Sequence, residues 1–245
     1  MKILVCISNV PDTTTKIAFT DNDTQLNKTG VTFMIGPYDD YALARAVELR
    51  DVQGGTVTVL NVGPADGEQQ IRRALAIGAD DAIRVDAEPT DSYFVAEQIA
   101  GVAKKGNYDL ILMGRESIDY NSGVVHGIVA EMLGMASFSP VMGLEIEGNT
   151  AHISREIEGG KEKLSASLPL VLGCQEPIAE WKIPSMRGIM SARTKPLAVI
   201  PAVGNGLKTS NIVYALPAPK GACKMIDAEN AGDLIALLRN EAKVI

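Results

Sequence analysis

Thr56-Val57-Thr58-Val59-Leu60-Asn61 is a β-branched run of strand length, and it leads through Val62-Gly63-Pro64 into Gln69–Ile77. There Ile71, Ala74, Leu75 and Ile77 fall at helical spacing, and Gly78 stops the pattern. The same alternation extends both ways. Upstream, Ile3–Ile7 is a continuous apolar run. Tyr38–Val52 then carries Tyr41, Ala42, Ala44, Ala46, Val47 and Leu49 on a helical stripe opened by Asp39 and Asp40. Downstream, Ala82–Val85 reads as a short strand, and Asp91 can cap a helix bearing Phe94, Val95, Ile99, Val102 and Ala103 that ends near Gly106. Asp109–Met113 is another buried strand, and Val124–Leu133 a helix closed by Gly134. Apolar strands alternating with helices over short links are the signature of right-handed parallel βαβ units. The expected fold class is α/β: a doubly wound, mostly parallel sheet with helices on both faces.

From about Val141 the pattern changes. Val141–Glu147, Ala151–Ile157 and Lys161–Ser167 are short alternating segments separated by Glu147-Gly148-Asn149 and Glu158-Gly159-Gly160, which predicts added antiparallel hairpin strands. Pro169–Gly173 is a last apolar strand. Residues 177–195 hold Glu180, Trp181, Lys182, Arg187, Arg193 and Lys195 with little apolar periodicity, which predicts an exposed arm. Ala202–Lys220 is rich in Pro and Gly and reads as a linker. Asp227–Ala242 is an amphipathic helix with Ala231, Leu234, Ile235 and Leu238 on one face, which needs the core or a partner to cover it. The expected divisions are residues 1–176, an arm over 177–205, and a linker with a terminal helix over 206–245.

Composition narrows the function. The chain has 245 residues, 46% of them hydrophobic, enough for a sizeable core and against disorder as the dominant state. With 23 Lys and Arg against 30 Asp and Glu, the net charge is −7, which argues against a nucleic-acid binder. No apolar run is long enough for membrane insertion. Cys6, Cys174 and Cys223 lie far apart, and the start Met1-Lys2-Ile3-Leu4-Val5-Cys6-Ile7 reads as a first strand, so a reducing, cytoplasmic setting is expected.

In an open parallel sheet, ligands bind beyond the carboxyl ends of the strands. The loops there are Ser8–Asp12, Asn61–Pro64 and Gly114-Arg115-Glu116-Ser117-Ile118-Asp119-Tyr120-Asn121-Ser122-Gly123. The last is small and polar and feeds a helix N-terminus at Val124, where exposed amides and the helix dipole would welcome a phosphate. The alternative is that Asn121 and Ser122 merely cap that helix. His126, in its first turn, can touch a phosphate or lie exposed. Neither a P-loop nor a nucleophile elbow is present, and Gly204-Asn205-Gly206 is followed by Thr209 where a dinucleotide fingerprint needs glycine. Asp21-Asn22-Asp23 lacks the glycine and distal glutamate of a calcium loop. Only His126 and His152 are available, a poor basis for a metal cluster or a histidine triad. A binding or carrier role outranks hydrolysis.

Eight motifs occur in order: Val10-Pro11-Asp12-Thr13, Gly36-Pro37-Tyr38-Asp39-Asp40, Gly63-Pro64, Ala74-Leu75-Ala76-Ile77-Gly78-Ala79-Asp80, Gly114-Arg115-Glu116-Ser117-Ile118-Asp119, Arg155-Glu156-Ile157-Glu158-Gly159-Gly160, Leu168-Pro169 and Arg187-Gly188-Ile189-Met190-Ser191-Ala192. In these, over residues 1–200, the chain resembles the β subunit of electron transfer flavoprotein. The resemblance implies a heterodimer with a flavoprotein α subunit that holds an electron-carrying FAD, no bond-breaking catalysis by this chain, and a buried AMP or second FAD here. It assigns the nucleotide to Ile7, Ser8 and Asn9, to Gly36, Pro37 and Tyr38, to Asn61, Val62 and Gly63, and to the phosphate loop Asp119, Asn121, Ser122, Gly123, Val124 and Val125. It makes Lys182–Ala192, with Met186 as apolar anchor beside Arg187, Ile189 and Met190, a recognition loop for flavin dehydrogenases. Family members commonly carry Lys where Ser8 stands, Asn where Gly36 stands, Gln where Val124 stands and often Gly where His126 falls. The alternative function is a stand-alone adenine-nucleotide sensor or hydrolase on the same scaffold.

Overall fold

The computed structural model describes residues 1–204, 206–210 and 212–245, so the Asn205 of Gly204-Asn205-Gly206 lies outside the described residues. The chain opens with β1 (Lys2–Cys6), then two small ribbons built from β2 (Asn9–Pro11), β3 (Phe19–Thr20), β4 (Gln25–Leu26) and β5 (Phe33–Ile35). The βαβ run follows: α1 (Pro37–Gln53), β6 (Thr56–Val62), α2 (Glu68–Ile77), β7 (Asp81–Asp86), α3 (Ser92–Gly106), β8 (Leu110–Gly114) and α4 (Val125–Leu133). Then come β9 (Ala136–Glu147), β10 (Thr150–Ile157), β11 (Gly160–Ser167), β12 (Leu170–Cys174), α5 (Met186–Ala192), β13 (Leu197–Pro201) and α6 (Ala231–Leu237).

The described residues form a nine-stranded sheet in the order β11-β10-β9-β12-β8-β1-β6-β7-β13. Within it β10 runs antiparallel to both its neighbours, and the other pairs are parallel. Alternation along a strand explains the two layers of helix. Ile3 and Val5 of β1 join the core under α1 and α2, with Leu43, Ile71 and Leu75. Leu4 and Cys6 join the opposite core, with Phe94 and Ile99 of α3 and Val129 of α4. Such strands are buried on both faces, which is why they read as unbroken apolar runs. From β1 the chain moves out through β6 and β7, then returns to the other side of β1 for β8. That reversal opens a crevice beyond the strand tips.

Four features depart from the sequence reading. Residues 9–35, without assigned elements there, form the two ribbons β2–β5 and β3–β4. The strand expected from Val141 starts at Ala136: its first half pairs parallel with β12 and its second half antiparallel with β10, and Pro140 inside the run hid the continuity. The stretch expected to be an unpacked arm contains α5 and then β13, whose residues pair in register with β7. The terminal amphipathic segment forms a helical stretch through residues 228–242, none of it buried. No helix among the described residues is long and apolar enough to cross a membrane.

Candidate functional site

The crevice at the switch point is a cleft of about 1200 Å³, walled by the loops after β1, β6 and β8. One buried side chain joins the first and third of these walls. Asp39, in the first turn of α1, accepts the Ser8 N–H at 2.8 Å and the Ser8 hydroxyl at 2.5 Å through one oxygen, and the Gly114 N–H at 2.7 Å through the other. Read from sequence, Asp39 is only an acidic residue favoured by the helix dipole. Its fixed place came from the fold, which brings residues 8, 39 and 114 together. Burial lifts its carboxyl to about 6, with the Ser8 and Gly114 donors opposing and the Asp40 charge adding to the lift. Asp40 is lifted to about 6 as well, by burial against the opposing pull of Arg73, 3.3 Å away.

Asn61, next to the last residue of β6, is 2% exposed and lines the cleft. Its amide N–H donates to the Ile7 carbonyl at 2.9 Å, while its Oδ1 has no partner in the protein. Asn9 lines the same cleft and its buried Oδ1 is likewise without a partner. A buried amide oxygen without a hydrogen bond is costly, so two beside one cavity mark a place that suits a donor-bearing ligand. A Cβ on Gly63 would come within 2.7 Å of Asn61 Oδ1, so glycine there keeps that oxygen uncovered. The lining is rich in carboxylates, but several are already engaged by the protein's own donors: Asp12 by Thr14, Asp39 by Ser8 and Gly114, Asp91 by Phe94 and Thr209, Asp119 by Ser117 and Tyr120. Arg115 supplies positive charge beside them, held by Glu116 and Gln175 at 3.0 Å each and seated over the Tyr38 ring at 4.9 Å.

The polar loop after β8 folds on itself through a bridge between Ser117 and Ser122, with Asn121 in a left-handed conformation at its turn. The capping alternative is not what the structure shows: Val124 is the N-cap of α4 and no side chain caps it, while Ser122 Oγ lies 2.8 Å from Ser92 Oγ. The first-turn amides of α4 therefore lack a side-chain acceptor. His126 lines the cleft half-buried, its Nδ1 3.4 Å from Ser137 Oγ, and burial holds its imidazole below the usual range against a smaller opposing pull from the Gly123 carbonyl.

Of the positions assigned from sequence, Ile7, Ser8, Asn9, Asn61, Val62, Gly63, Asp119, Ser122 and Val125 meet in this one cleft. Gly36, Pro37 and Tyr38 stand behind its wall, where Gly36 donates to the Ser8 carbonyl at 3.2 Å and Pro37 opens α1. Asn121, Gly123 and Val124 lie on the outer side of the loop, exposed. The sequence reading missed Asp39, Gly67 and the residues Leu207, Thr209, Ser210 and Tyr214, which also line the cleft. Only the last four had no local signal, since they lie in a stretch that reads as linker.

The 177–195 stretch lies elsewhere. Ser185 caps α5 by accepting the Gly188 N–H at 3.1 Å, and Gly188 faces α2 so closely that a Cβ would sit 2.2 Å from the Ala76 carbonyl oxygen. Arg72 of α2 donates to the carbonyls of Ala192 and Lys195, both at 2.8 Å, pinning the far end of the helix. Met186 and Met190 point outward at 75% and 69% exposure, with Arg187 and Ile189 exposed beside them, and Lys182 lies 3.6 Å from Glu48. Gly67, just before α2, lines the cleft, and Ala76 near its other end meets α5, so the helix separates the two features by about 15 Å.

A doubly wound sheet with a large cleft at its switch point and an outward apolar helix apart from it defines a ligand-holding α/β protein with a second, exposed contact surface. Comparison with known proteins places it further. The family model described as electron transfer flavoprotein domain matches residues 23–204. Electron transfer flavoprotein subunit beta of Bacillus subtilis (strain 168) is 35% identical over 259 aligned positions, covering 100% of both chains. The subunit of the same name from Syntrophomonas wolfei is 33% identical, covering 100% of this chain and 98% of that one. The acryloyl-CoA reductase electron transfer subunit gamma of Anaerotignum propionicum is 30% identical over 82% of this chain and 77% of its own. The chain belongs to the electron transfer flavoprotein β-subunit family.

Proposed function

We propose that this chain is the β subunit of a heterodimeric electron carrier, that its cleft holds an adenine nucleotide, AMP or a second FAD, and that its partner α subunit holds the electron-carrying FAD. The observation that carries the reading is the pair of partnerless oxygens, Asn61 Oδ1 and Asn9 Oδ1, buried beside a cavity large enough for a nucleotide. An adenine amino group is a donor that such oxygens lack. The uncapped first turn of α4, at the end of the polar loop, offers backbone amides to a phosphate, so loss of the glutamine side chain at Val124 leaves the main-chain part of the anion site in place. The residues present thus fit the group: Asn9, Asn61 and Gly63 for the purine end, and Ser122, Val125 and the first-turn amides of α4 for the phosphate end.

A bound FAD, shared with the partner, accepts electrons from a dehydrogenase and passes them to a downstream acceptor. The protein's contribution is position and environment. Asp39 fixes the two loops around the cleft, and α5 presents Met186 and Met190 as an apolar contact for flavin dehydrogenases. A stand-alone sensor or hydrolase would leave that exposed helix and the unburied terminal helix without a partner. The test is co-expression with an α subunit, followed by denaturing release and chromatography of bound nucleotides. One FAD with one AMP per heterodimer is expected of a simple carrier, and two FAD of an electron-bifurcating type. A complex with flavin but no nucleotide assignable to this chain would overturn the cleft assignment.

A further inference from the structure

Four described residues of the stretch that reads as linker, Leu207, Thr209, Ser210 and Tyr214, line the cleft. At its start, Val203 is locked to α3 by a reciprocal pair: its N–H donates to Gln98 Oε1 and its carbonyl accepts from Gln98 Nε2, both at 2.7 Å. Gln98 is 1% exposed, so the side-chain half of this pair is anchored in the protein. Further on, the Thr209 N–H donates to Asp91 Oδ2 at 2.8 Å, and its hydroxyl donates to the same oxygen. The other Asp91 oxygen caps α3 by accepting the Phe94 N–H at 2.9 Å. Burial opposes ionisation of Asp91, yet the Thr209, Phe94 and Tyr93 donors outweigh it and hold the carboxyl below its usual range. At the far side of the cleft, the Tyr214 ring stacks on Phe19 of β3 with centroids 5.1 Å apart, and the Tyr214 N–H donates to the Asp23 carbonyl at 2.7 Å.

Ordering a Pro- and Gly-rich linker costs conformational entropy, so a segment without a task is not expected to collect a reciprocal amide pair, a charge-assisted clasp and a ring stack. Here those contacts lie on α3 at one side and on the β3–β4 ribbon at the other, and Leu207 and Ser210 between them line the cavity. We propose that Thr209 and Tyr214 are positioning residues of the nucleotide site: clasped to Asp91 and Phe19, they stand with Leu207 and Ser210 as an outer wall that a bound adenine nucleotide must displace to leave. The inference rests on the nucleotide reading of the cleft and adds to it a wall that the sequence reading placed outside the site.

Dissociation kinetics test it on the full-length chain in complex with its flavoprotein partner. The protein is loaded with radiolabelled AMP, or with FAD, and chased with the unlabelled compound. Thr209→Val, which removes one charge-assisted hydrogen bond, and Tyr214→Ala, which removes the ring stack, are each expected to speed release about tenfold, while Thr209→Ser restores the wild-type rate. Should Thr209→Val fail to fold, Phe19→Leu on the ribbon removes the same closure from the other side. Unchanged release in Thr209→Val, Tyr214→Ala and Phe19→Leu overturns the proposal, and so does equal acceleration by Thr209→Ser. A wild-type complex that retains neither AMP nor FAD overturns the nucleotide reading instead.

Discussion

Asp39 does more for the site than any of the residues assigned to it from sequence. Three donors from two loops converge on its carboxylate in a buried place, which sets the relative position of the β1 and β8 tips. Its carboxyl is raised from 3.8 to about 6, chiefly by burial. The unfolded chain ionises at the lower value, so Asp39 contributes stability in full below about pH 4 and loses it as pH rises through about 6. Asp39→Asn keeps the shape but turns one acceptor into a donor facing an N–H. It is expected to cost about 1–3 kcal/mol. The stability gap between wild type and variant should shrink as pH rises from about 4 to about 6, the window between the unfolded and folded values of the Asp39 carboxyl. Urea midpoints across that range measure it; a gap that widens with pH would contradict the buried-acid account.

At the scale of the element, α5 shows how a short, weakly apolar segment gains a fixed place. A seven-residue helix does not persist alone. This one is held by the Ser185 cap, by Arg72 on its final carbonyls, and by the close approach of Gly188 to Ala76. Gly188→Ala must push the helix off α2. Trypsin should then cut faster at Lys182, Arg187 and Arg193, with little change in the melting temperature of the whole chain. Equal cleavage rates would show that α5 is not seated by that contact. Met186→Glu touches nothing in the core at 75% exposure, so the heterodimer should stay intact while docking to the dehydrogenase weakens. Electron transfer from the physiological dehydrogenase measures the loss, and an unchanged rate would remove the docking role.

Across the whole molecule, the sheet and its two cores close without the last helix and its approach. Residues 215–245 have no buried member, and Leu234, Ile235, Val244 and Ile245 are exposed at 44–67%. Apolar side chains gain nothing by such exposure, which points to a covering partner. Truncation after Lys220 keeps the strap over the cleft and is expected to leave the melting temperature of the chain alone unchanged. The same truncation should weaken assembly with the α subunit, read by gel filtration of the co-expressed pair. A lower melting temperature of the isolated chain would mean the helix belongs to this subunit's own fold.

The sequence by itself determined what depends on near neighbours. Apolar runs of strand length and a helical period of 3.6 marked β1 and the βαβ run from Tyr38 to Leu133, and their alternation implied a parallel, doubly wound sheet with loops such as Ser8–Asp12 and Asn61–Pro64 at the strand tips. Long-range pairing fell to the tertiary structure. It set Leu197–Pro201 beside β7, carried β9 through Pro140, and seated Gly188 on α2. It also brought Ser8, Asp39 and Gly114 into one hydrogen-bonded hub, and Thr209 and Tyr214 across the same cleft. Periodicity reports which face of an element is buried, whereas these contacts depend on which distant segment covers it, and that is fixed only when the sheet order and the chain's return path are both in place.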